Sequence, residues 1–237
     1  MHNKRILLKL SGEQFAGGKP FGIDMDFLTD LAQELKQVVS STQTQIAIVV
    51  GGGNFLRGAT LAKEEHTIER ATADYMGMLA TVINGMALVD LMEYHHQPAR
   101  LQSRLTMNSV AEPYIRRRAI RHLEKGRIVI IAGGTGNPFV TTDTAAVSAA
   151  LELECDLVLK ATKVDGVYTK DPHKHEDAEK LENLSHHEAL KNQSISVMDN
   201  AAISLAMEQK LPIRIFSLKP GNIQRIIEGE NVGTLVA

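Results

Sequence analysis

Four short apolar runs, each ending in a loop of glycines or hydroxyls, constrain this chain more than any other feature. They are residues 5–10 (RILLKL), 46–50 (IAIVV), 128–132 (IVIIA) and 156–161 (DLVLKA). Runs this short and this uniformly apolar suit strands covered on both faces, the habit of parallel sheets. Segments of helical period lie between them. Residues 24–40 read as a helix with Asp24 as its N-cap. Residues 69–94 read as a long helix whose Met76, Leu79, Ala80, Ile83, Met86 and Ala87 return to one face. Further helices are expected at 113–125, closed by Gly126, and at 142–154, 199–209 and 222–228, with strands at 99–105, 213–218 and 234–236. This alternation implies an α/β fold: a mostly parallel central sheet with helices on both faces, in three layers. No Pro-, Gly- or Ser-rich linker, repeat or low-complexity tract interrupts it, so 1–237 reads as a single domain.

Composition excludes several function classes. Aromatic residues make up 4% of the chain and Trp is absent, which leaves little to stack single-stranded nucleic acid or to anchor at a membrane interface. The formal net charge of -2 supplies no positive field for polyanions. Neither a nucleic-acid partner nor a membrane is therefore expected. The run Arg116–Arg118 with Arg121 reads as a solvated helix face. Cys155 is the one cysteine, so no disulfide forms within the chain; it reads as a small buried hydrophobe in a reducing, cytoplasmic setting. Nothing at the N-terminus reads as a signal peptide, and no stretch of about 18 uninterrupted apolar residues is present. His173, His175, His186 and His187 lack further ligands at metal-binding spacing and read as solvated loop residues.

In a doubly wound sheet, ligands sit beyond the C-terminal strand ends. Lys9-Leu10-Ser11-Gly12-Glu13 ends the first strand, where a lysine points into the crevice and small residues let the backbone approach an anion. Gly51-Gly52-Gly53-Asn54-Phe55-Leu56-Arg57-Gly58 follows the second; its glycines can offer N–H groups to phosphate and Arg57 a permanent charge. The spacing fits neither a Walker A loop nor a dinucleotide fingerprint. The stretch 134–143 (GTGNPFVTTD) leads into a helix that Thr141 or Thr142 can cap. Thr135 and Asn137 there carry the donors and acceptors that reading a base edge requires. Asp143 is either a dipole-stabilising acid or a carboxylate that orients a lysine or a metal. In the fourth loop, 160–172, Tyr168 is a candidate for stacking on a base and Asp171 for holding ribose hydroxyls.

These four segments, in this order, resemble the amino-acid-kinase superfamily. The stretches KLSGE, GGGNFLRG, ADYMGMLATVINGMA, GTGNPFVTTDTAA and KATKVDGVYTKDP are similar to its bacterial UMP kinases, with the likeness running from Lys4 to Val236. The resemblance implies transfer of the γ-phosphoryl group of ATP to UMP, in pyrimidine nucleotide biosynthesis. It implies ATP contacts at Lys9, Leu10, Ser11, Gly12, Gly53, Arg57, Thr162, Tyr168 and Asp171. It implies UMP contacts at Gly52, Asp74, Thr135, Gly136, Asn137, Pro138, Phe139, Val140, Thr141 and Thr142, with Asp74 on the ribose. Residues up to about 150 would then serve mainly the acceptor and the remainder mainly ATP. Lys9 is expected as the main catalytic cation, helped by Arg57, with Asp143 and Asp199 orienting Lys9 or the Mg²⁺ shell. The Mg²⁺ would be carried with ATP and not held in a protein cage. The resemblance further implies a homohexamer, activation by GTP and inhibition by UTP. Gly17, Gly18, Lys19, Pro20, Phe21 and Gly22 match the region tied to activation, and Arg100 and Arg127 match effector-site arginines. Val89 and Glu93 depart from that pattern, and Glu93 would repel a triphosphate. Two rivals stay open: a carboxylate kinase on the same fold, and a nucleotide-storage protein resembling it.

Overall fold

The structure, a computed structural model, describes residues 4–56, 68–170, 172, 174–175, 177–191 and 198–237. The strands are β1 (Arg5–Leu10), β2 (Gln45–Val50), β3 (Ala99–Ser103), β4 (Glu112–Pro113), β5 (Ile128–Ala132), β6 (Leu157–Thr162), β7 (Val167–Tyr168), β8 (Lys180–Leu181), β9 (Asn183–Leu184), β10 (Ile213–Ser217) and β11 (Thr234–Val236). The helices are α1 (Gly12–Phe15), α2 (Met25–Thr42), α3 (Arg70–Tyr94), α4 (Arg116–Glu124), α5 (Thr142–Glu152), α6 (His186–Lys191), α7 (Asn200–Glu208) and α8 (Asn222–Ile227). One nine-stranded sheet runs β4-β3-β5-β2-β1-β6-β10-β11-β9, and β7 pairs with β8 beside it. Every pairing in the large sheet is parallel except β10 with β11.

Strand alternation divides the core into two layers. Leu7, Val49, Val129, Ile131 and Val158 face α4, α5 and α7, while Ile6, Leu8, Ile46, Ile48 and Ile130 face α2, α3 and α8. The expected three-layer architecture is therefore present. β1 lies between β2 and β6 at the middle of the sheet, and the C-terminal ends of these strands converge on one crevice. Asp24 caps α2 as expected, accepting from Asp26 N at 3.1 Å and Phe27 N at 3.4 Å. Cys155 is buried, and burial pushes its thiol up to about 12. Arg116, Arg117, Arg118 and Arg121 lie on an exposed face.

Three local expectations differ from what is observed. The face of α3 that periodicity selected points outward: Met76, Leu79, Ile83 and Met86 are 37–47% exposed. Its inward face carries Ala73, Met78, Ala80, Thr81, Val82, Asn84, Gly85, Leu88 and Met92. The helix is apolar nearly all round, so period alone cannot choose a face. Close approach to the sheet decides instead: a Cβ on Gly85 would sit 2.5 Å from Leu101. This helix is long and apolar enough to cross a bilayer, with a hydropathy of 1.4, but here it packs along the sheet as a core helix. The helix expected from 113 starts at Arg116, because Glu112 and Pro113 pair with β3. His186 is buried, not solvated, and its Nε2 lies 3.0 Å from the Leu211 carbonyl. His175 and His187 are exposed, and His173 lies outside the described residues.

Candidate active site

At the middle of the sheet, Lys9 of β1 and Lys160 of β6 are register partners. Both project toward the α5 layer, where Asp143 in the first turn of α5 meets them. Asp143 Oδ1 is 2.8 Å from Lys9 Nζ, and Oδ2 is 2.7 Å from Lys160 Nζ. The three side chains are 7%, 14% and 14% exposed, so all are largely withdrawn from water. Burial alone would raise the Asp143 carboxyl, but the two ammoniums outweigh it and hold it below the usual carboxylate range. Burial lowers Lys160 below an ordinary lysine, and Asp143 pulls it only partly back.

The glycine loops interlock backbone against backbone. A Cβ on Gly12 would lie 2.1 Å from Gly53 N, and one on Gly52 would lie 2.5 Å from the Gly77 carbonyl on α3. Only residues without a side chain permit that approach. Some of the N–H groups expected to serve an anion are already engaged: Ser11 N donates to Gln14 Oε1 at 2.8 Å and Gly51 N to the Leu10 carbonyl at 2.8 Å. Asn54 braces the second loop, donating to the Gly22 carbonyl and the Asn84 amide at 2.8 and 2.9 Å.

Asp74 sits inside this architecture and is not a free helix charge. It accepts from Arg70 Nε at 2.9 Å on its own helix and from Phe139 N at 2.8 Å, which ties α3 to the 134–143 loop. Arg70 also lies 5.9 Å from the Phe139 ring centre. Within that loop, Thr135 Oγ1 and Asn137 close a small turn through bonds of 3.2 Å. Gly136 and Phe139 adopt positive φ values of 81° and 67°. Thr141 is the N-cap of α5, accepting from Asp143 N at 3.1 Å. Asp199 is the N-cap of α7 and binds Ala202 N at 2.9 Å, Thr144 Oγ1 at 2.8 Å and the Thr141 hydroxyl. Asp199 thus locks the starts of α5 and α7 together.

Lys9, Ser11, Gly12, Gly52, Gly53, Asp74, Val140, Thr141, Thr142, Asp143 and Asp199 line one open cavity of about 520 Å³, with Glu13, Gly51, Leu56 and Arg70. A lobe of about 150 Å³ continues from it toward Gly77, Met78 and Thr81. Leu10 is fully buried beneath the cavity. Thr135, Gly136, Asn137, Pro138 and Phe139 lie along the loop beyond its wall. Thr162 and Tyr168 stand apart at the end of β6 and on β7: Thr162 Oγ1 donates to the Val164 carbonyl at 2.6 Å, and Tyr168 Oη to Asp165 at 2.7 Å. Lys180 holds that aspartate from the other side at 3.0 Å. Arg57 and Asp171 lie outside the described residues. Gly17–Gly22 rests on the glycine loop, Gly22 N donating to the Asn54 carbonyl at 3.1 Å and Phe21 meeting Phe55 edge-on at 5.3 Å. Arg100 and Arg127 lie elsewhere, at the β3 and β5 edge. Among the described residues, no group of three His, Cys, Asp or Glu is placed to hold a metal.

Sequence reasoning missed Lys160 and Arg70. A lysine breaking an apolar strand as Lys9 does was a usable signal for the first. The four-residue spacing to Asp74 was one for the second.

Residues 4–217 match the profile described as the amino acid kinase family. The chain is 40% identical to the UMP kinase from Bacillus anthracis, with a TM-score of 0.93 over 98% of this chain and 95% of that one. It is 31% identical to the UMP kinase from Ureaplasma parvum, at a TM-score of 0.92 with both chains fully covered. The uridylate kinase from Archaeoglobus fulgidus is more distant, at 26% identity and a TM-score of 0.76 over 98% and 99% of the two chains. A carbon skeleton shared over almost the whole length, on a sheet whose central strands end in a lysine-and-glycine crevice, admits one placement: the chain belongs to the amino acid kinase family.

Proposed function

We propose that this kinase phosphorylates UMP, transferring the γ-phosphoryl group of ATP to the 5′-phosphate and releasing ADP and UDP. The observation that carries the reading is the buried Lys9 ammonium, held by Asp143 at the wall of a glycine-lined cavity that extends to Asp74. Full-length likeness to UMP kinases supports the choice of acceptor.

A phosphate oxygen of UMP attacks the γ-phosphorus while the bond to the β,γ-bridging oxygen breaks, and ADP leaves with the bonding electrons. The acceptor is already ionised at neutral pH, so no general base is required. Catalysis then rests on in-line positioning and charge neutralisation. Lys9 would meet the transferred group, and Gly12 and Gly53 let the phosphates approach the backbone. Gly52, Asp74 and residues 135–142 would hold UMP, Asp74 on its ribose. The end of β6 with Thr162 and Tyr168 would hold the adenosine. Arg57 would add charge on the phosphates and Asp171 would take ribose hydroxyls.

Mg²⁺ fits the oxygen donors of the cavity wall. Glu13, Asp143 and Asp199 line that wall, and their carboxylates would face the ion's water shell. When bound, the ion neutralises charge on the phosphates. We further propose a cytoplasmic homohexamer, with the exposed apolar face of α3 (Tyr75, Met76, Leu79, Ile83 and Met86) as a subunit contact. Any nucleotide effector would have to act through Gly17–Gly22 or the Arg100 and Arg127 region, where Glu93 already pairs Arg100 and opposes a triphosphate.

The test is ADP release from ATP across UMP, CMP, AMP, GMP and glutamate. UMP should be the strongly preferred acceptor, with UDP as product. Phosphorylation of the carboxylate, or no UDP at all, would overturn the reading.

A further inference from the structure

Thr162 and Tyr168, the residues that would hold adenosine, stand on separate elements, β6 and β7. Tyr168 belongs to a hairpin of two-residue strands, β7 with β8, and so short a pairing does not hold itself in water. The polar contacts around its ring are exposed: Asp165, which takes both the Tyr168 hydroxyl and Lys180, has 48% of its side chain in water. Beneath the hairpin the opposite holds. Thr234 of β11 is fully buried, and its hydroxyl accepts from Val167 N at 2.8 Å and donates to the Leu181 carbonyl. Val167 and Leu181 are register partners, so one hydroxyl from 67 positions away joins both strands of the hairpin. Glycines let it come so close. A Cβ on Gly166 would lie 2.7 Å from Thr234 Oγ1, and one on Gly233 would lie 2.1 Å from the Ile215 carbonyl.

Thr234 pairs with Ile215 on β10, and β10 runs beside β6 with Ser217 opposite Thr162. Thr162 Oγ1 also lies 3.3 Å from the Phe216 carbonyl. The β10–β11 pair is therefore a common frame to which both adenosine residues are tied. The buried Val167 side chain holds the hairpin down, but apolar contact has no direction. The hydroxyl supplies direction, because its two hydrogen bonds form only at one setting of the strands. We propose that Thr234 is a positioning residue for ATP binding: its hydroxyl fixes the β7–β8 hairpin so that Tyr168 is in place before the nucleotide arrives. Without the hydroxyl, ATP must order the hairpin as it binds, so affinity falls while the bound state, once formed, is unchanged. The inference rests on the placement of adenosine at the ends of β6 and β7, and extends it to a residue outside that site.

Steady-state kinetics with ATP and UMP, calorimetric titration with ADP and a thermal melt provide the test. Thr234→Val keeps the shape and removes the hydroxyl. It should raise KM for ATP about ten-fold and weaken ADP to the same degree, while KM for UMP and kcat stay within about three-fold. Thr234→Ser restores the hydroxyl and should return KM for ATP to within about three-fold of native. A hydroxyl that serves stability alone predicts a lower melting temperature in Thr234→Val with KM for ATP unmoved, or both KM values raised together. If Thr234→Val does not fold, Thr234→Ala takes its place under the same criteria. A folded variant whose KM for ATP stays within about two-fold of native, or a Thr234→Ser variant as impaired as Thr234→Val, overturns the proposal. Native enzyme that makes no UDP sinks the choice of reaction and leaves ADP affinity to judge Thr234. Native enzyme that makes UDP, with ADP affinity indifferent to Thr234→Val, sinks the inference alone.

Discussion

The middle of the sheet and its β3 edge both hold cations against carboxylates at hydrogen-bonding distance, but they balance charge differently. In the middle, Lys9 and Lys160 share Asp143 with little exposure to water. At the edge, Arg100 pairs with Glu93 at 2.9 Å, with exposures of 35% and 47%, and Arg127 lies 3.0 Å from His122. A pair in water costs little and contributes little. Buried charges carry a desolvation cost that their partners must offset, so losing one partner there is felt far more than at the surface. The contrast separates a desolvated cluster at the strand ends from solvent-exposed pairs at the surface.

The largest expected effect lies in the middle. Lys9→Ala should lower kcat by at least roughly 10²-fold with folding intact. Arg100→Ala, measured in the same assay, should stay within about two-fold. A Lys9 variant of near-normal kcat would erase the distinction. Next comes the backbone contact that brings the phosphate loops together. Gly12→Ala forces a Cβ to 2.1 Å from Gly53 N, and backbone cannot move aside as a side chain does. A loss of roughly 2–3 kcal/mol in chemical denaturation is expected, within the range for overpacking. Gly77→Ala meets open space and should hold or raise the melting temperature.

The third prediction concerns pH. Asp143 titrates below the ordinary carboxylate range when folded, so it contributes stability above its unfolded pKa. That contribution is lost as pH falls through the lower, folded value. Asp143→Asn should therefore cost about 2 kcal/mol at neutral pH, because it leaves two ammoniums without their shared anion. Its stability should approach that of the native protein in strong acid. Urea unfolding at several pH values checks this, and a constant gap down to low pH would show that the carboxylate is not the group that titrates.

The same contrast explains what could be read from the sequence. The strands at the middle are apolar on both faces and run into glycine loops, so 5–10 and 128–132 coincide with β1 and β5. Lys9 and the glycine loops were candidates from strand ends alone, whereas Asp143 stayed open between a helix-dipole acid and a partner for a lysine or a metal. Asp74 did not, since its meaning lies in a bond to Phe139 N across 65 residues. Lys160 interrupts an apolar strand as Lys9 does, but its partner Asp143 is on another element, so the pairing itself could not be read. The outward face of α3 was misread because small residues, not large ones, let a helix approach a sheet closely. His186 was misread because its hydrogen-bond partner, the Leu211 carbonyl, lies 25 positions away.

Between middle and edge runs the 134–143 loop, where selectivity should reside. Asn137 is exposed, and its backbone is engaged in the Thr135 turn, so its side chain does not support the core. Asn137→Ala should reduce the preference for UMP over CMP about ten-fold in kcat/KM, while leaving the melting temperature unchanged. An unaltered preference would move base recognition to another residue of the loop.

The smallest effect is expected where charges are already paired. A cavity of about 520 Å³ at the edge is lined by Val89, Glu93, Ala99, Arg100, Leu101, Val110, Ala111 and Glu112. A triphosphate entering it would face two carboxylates and one arginine already bound to Glu93, which also accepts from Ala99 N at 2.9 Å. To bind, it must break that pair and displace Glu93. GTP at millimolar concentration should accordingly change the UMP kinase rate by less than about two-fold, the scale of a solvent-exposed pair. Glu93→Gln releases Arg100 and removes one repelling charge, so the variant should respond more strongly to GTP than the native enzyme. Strong activation of the native enzyme would mean that pairing at the edge does not govern effector binding. Strong activation by a route that Glu93→Gln leaves unchanged would place the effector against Gly17–Gly22, the segment that Asn54 ties to the phosphate loop.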